Sequence, residues 1–379
     1  MNPRPSFAAF TLSGASLFAS LFAPSAAHAN AATYVATAIA HASAMNASGQ
    51  IVGQSPDSDD WGANWHSFMT GANASGMNNL GHFSGPSSSA TAINATGFVT
   101  GFTYNLVTGD KGRAFVTGAG GVGVSYLGTL GGSGSLPFAI NDAGRVVGSS
   151  DLAGNAVSHA FITASYGGSL TDLGTLGGDY SSATGINAAS QVVGSSAIKD
   201  DMAYHAFMTG ANGVGLVDLG TFGGSNSYAN GINVHGQVVG SADIAGDAQS
   251  HAFITDAHGV KIDLGTLNGT SSYGMAINAS AQVVGNAFVD SDDLTPRAFV
   301  TRANGAGMVD LNTLVTLESG VLLYNAFAIN DAGQILATAT NGTTYFLTPV
   351  PEPDVLTMSL AGLVSMGAIL RRRKAGGSI

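Results

Sequence analysis

Between residues 33 and 349 the apolar positions fall into short runs separated by small polar breaks, with no sustained helical stripe. One stretch reads Phe138-Ala-Ile-Asn141, a tight turn, Arg145-Val-Val-Gly148, a loop, His159-Ala-Phe-Ile-Thr163, a Gly-Gly turn and Leu170-Thr-Asp-Leu-Gly-Thr175. Each run is rich in β-branched or aromatic residues and each break carries Gly, Asn, Asp or Ser, the signature of strands joined by turns. Asn and Gly in the 141–144 turn tolerate the left-handed backbone that a tight hairpin needs. The pattern therefore predicts four short strands and no helix.

The same phrase returns seven times. Its asparagine stands at Asn46, Asn94, Asn141, Asn187, Asn233, Asn278 and Asn330, in steps of 48, 47, 46, 46, 45 and 52 residues. Its aromatic stands at Phe68, Phe115, Phe161, Phe207, Phe253, Phe299 and Phe346, in steps of 46 or 47. A four-stranded unit of roughly 40–50 residues is the size of a propeller blade. The seventh unit has three runs, Phe327–Asn330, Gln334–Ala339 and Thr344–Thr348, before Pro349 stops it. Thr33–Ile39 precedes the first unit and belongs to none. The expectation is an all-β, seven-bladed β-propeller over residues 30–349, closed by this N-terminal strand as the outer strand of blade seven. Closure would protect the edges that the competing architecture, an open solenoid, leaves bare.

The repeat resembles the HAF family of bacterial extracellular repeats, on His159-Ala-Phe161, His205-Ala-Phe207 and His251-Ala-Phe253 and the following Asp172-Leu-Gly-Thr-Leu-Gly-Gly178, Asp218-Leu-Gly-Thr-Phe-Gly-Gly224 and Asp263-Leu-Gly-Thr-Leu267. Blades one, two, six and seven depart from it, with His66-Ser-Phe, Arg113-Ala-Phe, Arg297-Ala-Phe and Thr344-Tyr-Phe. The resemblance implies a secreted or surface protein and little about activity.

Both ends fit export. Residues 1–29 carry Arg4, an apolar stretch from Phe7 to Phe22 and the small-x-small pattern Ala27-His28-Ala29, which reads as a signal peptide cut by signal peptidase after Ala29. A membrane helix is the rival reading of that stretch. Residues 350–379 run Val350-Pro351-Glu352-Pro353, an uncharged span 355–370, then Arg371, Arg372, Arg373 and Lys374. This order resembles the PEP-CTERM sorting signal of Gram-negative bacteria, which implies processing by an exosortase-type enzyme. As a helix, the span 355–370 would rise about 24 Å, short of a roughly 30 Å hydrocarbon core. It suits a transient transmembrane stop, its basic cluster on the cytoplasmic side, better than the alternative, a permanent anchor.

Composition narrows the partners. Charged residues are 9% of the chain, against about 25% in ordinary soluble domains, and there is no cysteine to form a disulfide. Between residues 30 and 349 stand 21 acids and 7 bases, so nucleic acid and anionic membrane are poor partners.

The acids cluster where strand b turns into strand c: Asp57, Asp59, Asp60, Asp110, Asp151, Asp200, Asp201, Asp243, Asp247, Asp290, Asp292 and Asp293. Aspartate suits solvated turns. The clusters Asp57-Ser-Asp-Asp60 and Asp290-Ser-Asp-Asp293 also offer oxygen ligands of the kind calcium takes, although neither is an EF-hand. His159, His205 and His251 each precede an aspartate, Asp172, Asp218 or Asp263, by 12 or 13 residues. Arg113 and Arg297 replace that histidine in two blades, so the position asks for a hydrogen-bond donor and not a base. The pairs read as buried ties between strands c and d, with Asn79 and Tyr126 departing from the acid. Equivalent histidines in separate blades stand too far apart to share zinc.

Trp61 and Trp65 flank the first acidic loop and form a candidate saccharide platform, or else pack on their own blade. The Gly118–Gly123 run precedes no helix and is no phosphate loop. No nucleophile elbow is present, and the polar residues repeat with the blades where catalysis would need asymmetric, convergent groups. The expected role is a non-catalytic binding or structural module, with exopolysaccharide as the partner that the resemblance implies. The rival is a secreted polysaccharide hydrolase or lyase working at the propeller cavity.

Overall fold

The computed structural model describes residues 33–39, 41–57, 64–105, 112–256, 259–290 and 295–350. The expected signal peptide with Ala27 and Ala29, the sorting motif from Pro351 onward, the span 355–370 and the basic cluster Arg371–Lys374 lie outside these residues, as do Asp59, Asp60, Trp61, Asp292 and Asp293. No helix among the described residues is long and apolar enough to cross a membrane.

Seven four-stranded antiparallel sheets follow one another along the chain. Blade four shows the unit, with strand a at Gly177–Ile186, b at Val192–Ile198, c at Tyr204–Thr209 and d at Leu216–Asp218. Blade one is built likewise from Ala42–Met45, Ile51–Pro56, Trp65–Met69 and Asn78–Gly81. Blade seven takes three strands from Leu323–Ile329, Ile335–Ala339 and Thr344–Pro349. Its fourth is the N-terminal strand Tyr34–Ile39, paired antiparallel with the third from Tyr34↔Pro349 to Ile39↔Thr344. The ring is thus closed by the clasp that the strand count predicts. Tyr34 sits buried beside it, and burial pushes its phenol up to about 12.

The core lies between blades. Phe207 packs with Val192 of its own blade and with Val147, Ala160, Ile162 and Ala183 at the junction of blades three and four. A buried apolar cluster fills each junction, built on a repeat phenylalanine at five of them, including Ile39, Ile51, Phe68, Leu336 and Phe346 where blade seven meets blade one, and on aliphatic residues with Met69 or Tyr34 at the other two. A single blade has no interior of its own. Burying one phenylalanine contributes about 1.5–3 kcal/mol, and the series Phe68 to Phe346 is buried at every turn of the ring.

The glycine of the Val-Val-Gly run has a steric cause. A Cβ built on Gly194 would overlap the carbonyl oxygen of Ser182 on strand a, and the same clash recurs at Gly148, Gly240 and Gly285. Strand a bulges beside each of them, between Ala183 and Gly185 in blade four, which presses its backbone close to strand b.

Candidate functional site

The a-to-b turns of all seven blades converge on the axis and line a cavity of about 260 Å³. Each turn asparagine is buried there. Its Oδ1 accepts the backbone N–H four residues on, as from Gln50 to Asn46 (3.0 Å) and from Gln191 to Asn187 (3.0 Å). Its Nδ2 donates to the backbone oxygen of the next blade's asparagine: Asn46 to Asn94 (3.0 Å), Asn94 to Asn141 (3.1 Å), Asn141 to Asn187 (3.1 Å), Asn187 to Asn233 (3.2 Å), Asn233 to Asn278 (3.2 Å), Asn278 to Asn330 (3.2 Å) and Asn330 back to Asn46 (3.3 Å). The amides form a closed hydrogen-bonded hoop.

Sequence reasoning missed this role by treating the residue as a turn former. The available signal was its presence in all seven copies while the residues after it vary, since a turn alone accepts Gly or Asp as readily. Two carboxylates reach the cavity, Asp142 and Asp331, each accepting a backbone N–H from a neighbouring blade, Ala95 (2.9 Å) and Ala279 (2.8 Å). At least two blades lie between them around the ring.

The opposite face carries the b-to-c loops and the d-to-a linkers. His159 Nδ1 lies 2.9 Å from Asp172, and His205 and His251 lie 2.8 Å from Asp218 and Asp263. Each aspartate also accepts a backbone N–H two residues on, as from Gly220 to Asp218 (2.6 Å). The pairs tie strand c to strand d but are not buried, because strand d is the outer edge of the blade; the carboxylates are 40–45% exposed. Two of the loop acids lie inside strand b and serve the backbone and hydroxyls: Asp151 accepts from Ser158 Oγ (2.7 Å), and Asp243 from Asn226 and Ser250.

Blade one differs. Asn79 stands where the aspartate would be, and His66 turns to Asp57 (2.9 Å). A second imidazole, His82, reaches the same Oδ1 at 3.2 Å. Trp65 lies edge-on to His41, ring centroids 4.9 Å apart, packed on its own blade. Asp290, the described member of the other acidic cluster, belongs to a different blade from Asp57, so the two are not brought together.

Between blades two and three this face opens into a groove of about 610 Å³ bordered by Ser84, Tyr104, Asn105, Arg113, Ser133 and Asn155. Tyr104 also borders an adjoining hollow with Phe102, Leu136, Ser149, Asp151 and Ser158. Burial raises the Tyr104 phenol above its ordinary value, against the opposing hydrogen bond from Ser87, so it stays a neutral donor. Arg113 lies 4.6 Å over the Tyr126 ring, which fixes its guanidinium beside the groove. Among the described lining residues Asp151 is the sole carboxylate.

No family model matches the chain, and no curated protein matches it in sequence. Solved structures do. The propeller domain of the trilobed protease of Pyrococcus furiosus, described as having an open velcro topology, aligns with a TM-score of 0.56 at 8% identity, covering 83% of this chain and 99% of that one. YCF48 bound to D1 peptide gives 0.53 at 10% identity, over 85% and 98%. The acylaminoacyl peptidase of Pyrococcus horikoshii gives 0.52 at 8%, over 85% of this chain and 54% of its own. Identities this low establish the propeller fold alone.

Proposed function

We propose that this protein is an exported β-propeller, displayed at the cell surface or released, that acts as a non-catalytic binding and structural module for extracellular polysaccharide. Export rests on the leader-like residues 1–29 and on the resemblance of residues 350–379 to a PEP-CTERM signal, which make signal peptidase and an exosortase-type enzyme its processing partners. The binding role rests on one observation, the composition of the groove between blades two and three. It offers an aromatic face, hydroxyls, amides and a fixed guanidinium, the groups that hold sugars. Glycoside hydrolysis by the usual route needs two carboxylates flanking the scissile bond, and among the described residues that line the groove and its adjoining hollow the one carboxylate is Asp151, which accepts from Ser158.

A polysaccharide array read beside a reducing-end assay tests this reading. The expected result is saturable binding to at least one polymer, no product release, and binding weakened about tenfold or more by Tyr104→Ala, since stacking and hydrogen bonding at one aromatic contribute on the order of 1–3 kcal/mol. Release of new chain ends would replace it with the hydrolase or lyase reading. Binding to no polymer would end the polysaccharide assignment.

A further inference from the structure

The geometry points to a divalent transition-metal site on blade one, formed by His66, His82 and Asp57, that takes an ion of the zinc class. Three changes from the repeat create it together. Backbone register aligns Ser55↔His66 with Ser150↔His159, so Asp57 occupies the place of Leu152 in blade three. Register also aligns Phe68↔Asn79 with Phe161↔Asp172, so strand d has lost its acid, and His82 occupies the place of Thr175. One carboxylate has moved from strand d to the b-to-c side, and a second imidazole has come in from the linker to meet it.

The contacts of His82 orient its ring toward this cluster. Its Nδ1 lies 3.2 Å from the backbone oxygen of Trp65. A carbonyl oxygen can only accept, so Nδ1 carries the hydrogen and Nε2 is the ring atom turned to Asp57 Oδ1, 3.2 Å away. That contact can be filled by a proton or by a metal ion, and what singles out a metal is that a second imidazole nitrogen, His66 Nδ1, meets the same Oδ1 at 2.9 Å. Fixing one ring nitrogen on a carbonyl is also how proteins orient an imidazole that ligates metal through the other.

The three ligating atoms lie within 4.8 Å of one another. Around zinc, with bonds of about 2.0–2.1 Å, tetrahedral ligand atoms stand roughly 3.3 Å apart, so His66 Nδ1 at 2.9 Å and His82 Nε2 at 3.2 Å from Oδ1 need to open by only a few tenths of an ångström. Two imidazoles and one carboxylate suit zinc, cobalt or nickel, whereas calcium and magnesium take oxygen ligands. His82 and Asp57 side chains are 35% and 38% exposed, so an ion can enter and retains room for a water or an oxygen ligand from outside. Bound there, it would clamp the b-to-c loop of blade one to the linker leading into blade two.

The test uses the untagged full chain, stripped with a chelator. Titration with Co²⁺ is expected to give a saturable visible spectrum at one ion per chain, displaced by Zn²⁺ and unaffected by Ca²⁺. His82→Thr installs the residue that the sister blades carry; its metal-free melt should match wild type and its Co²⁺ affinity should fall about 100-fold or more, as loss of a ligand costs at least what loss of an outer-shell partner does. Asp57→Asn should weaken binding as well, and His159→Ala should leave it unchanged. Absence of one-to-one binding in the wild type, retention of affinity in His82→Thr and Asp57→Asn, or loss in His159→Ala would each overturn the assignment.

Discussion

Blade one and blade four are the same object at the axis and different objects at the rim. In both, the turn asparagine gives its amide to the next blade, Asn46 to Asn94 and Asn187 to Asn233. Both bury a phenylalanine, Phe68 or Phe207, in the seam to the preceding blade. At the outer edge they part: blade four pairs His205 with Asp218 on strand d, and blade one gathers His66 and His82 on Asp57. The inner residues each serve two blades, so a change there must be matched by a neighbour. The His–Asp pairs of the rim each lie within one blade, with carboxylates 40–45% exposed, so they can diverge singly and acquire chemistry.

That contrast can be attacked from the inside outward. Phe68→Ala and Phe207→Ala should cost about 3–5 kcal/mol each, since a seam cannot collapse around the cavity without moving a whole sheet. Unfolding in guanidinium measures this, and a large inequality between the two would show that the seams are not equivalent. Asn187→Ala removes one link of the hoop and leaves the Gln191 N–H without its acceptor, while the Asn233 oxygen keeps the N–H of Gly236; the expected loss is about 1–3 kcal/mol, matched by Asn46→Ala in the same assay. His205→Ala should cost less than about 1 kcal/mol, because its partner carboxylate is 43% exposed and water replaces the bond. A cost as large as the asparagine's would mean the rim is structural after all.

Much of the fold was legible because it rests on spacing. Seven phrases, three runs in the last of them and a spare strand at Thr33–Ile39 leave few ways to close an array of sheets, and the clasp formed where the count placed it. The His–Asp pairs were legible too, since 12 or 13 residues is the length that returns strand d alongside strand c. Burial of those pairs was misjudged, because a sequence does not say that strand d is an edge. The groove between blades two and three gave no sign, being assembled from the linker of Ser84, the loop of Asn105 and Arg113, and Asn155 of the next blade.

By itself the chain determined its strands, their grouping into sevenths and the residues able to fill the seams, because period, turn chemistry and apolar content act locally or between adjacent repeats. The asparagine hoop and the meeting of Asp57, His66 and His82 were decided only by tertiary structure. The hoop depends on closure of the ring, which brings Asn330 back to Asn46, and the cluster on the pairing of strands within blade one, which sets atoms of a loop, a strand and a linker within hydrogen-bond length of one another.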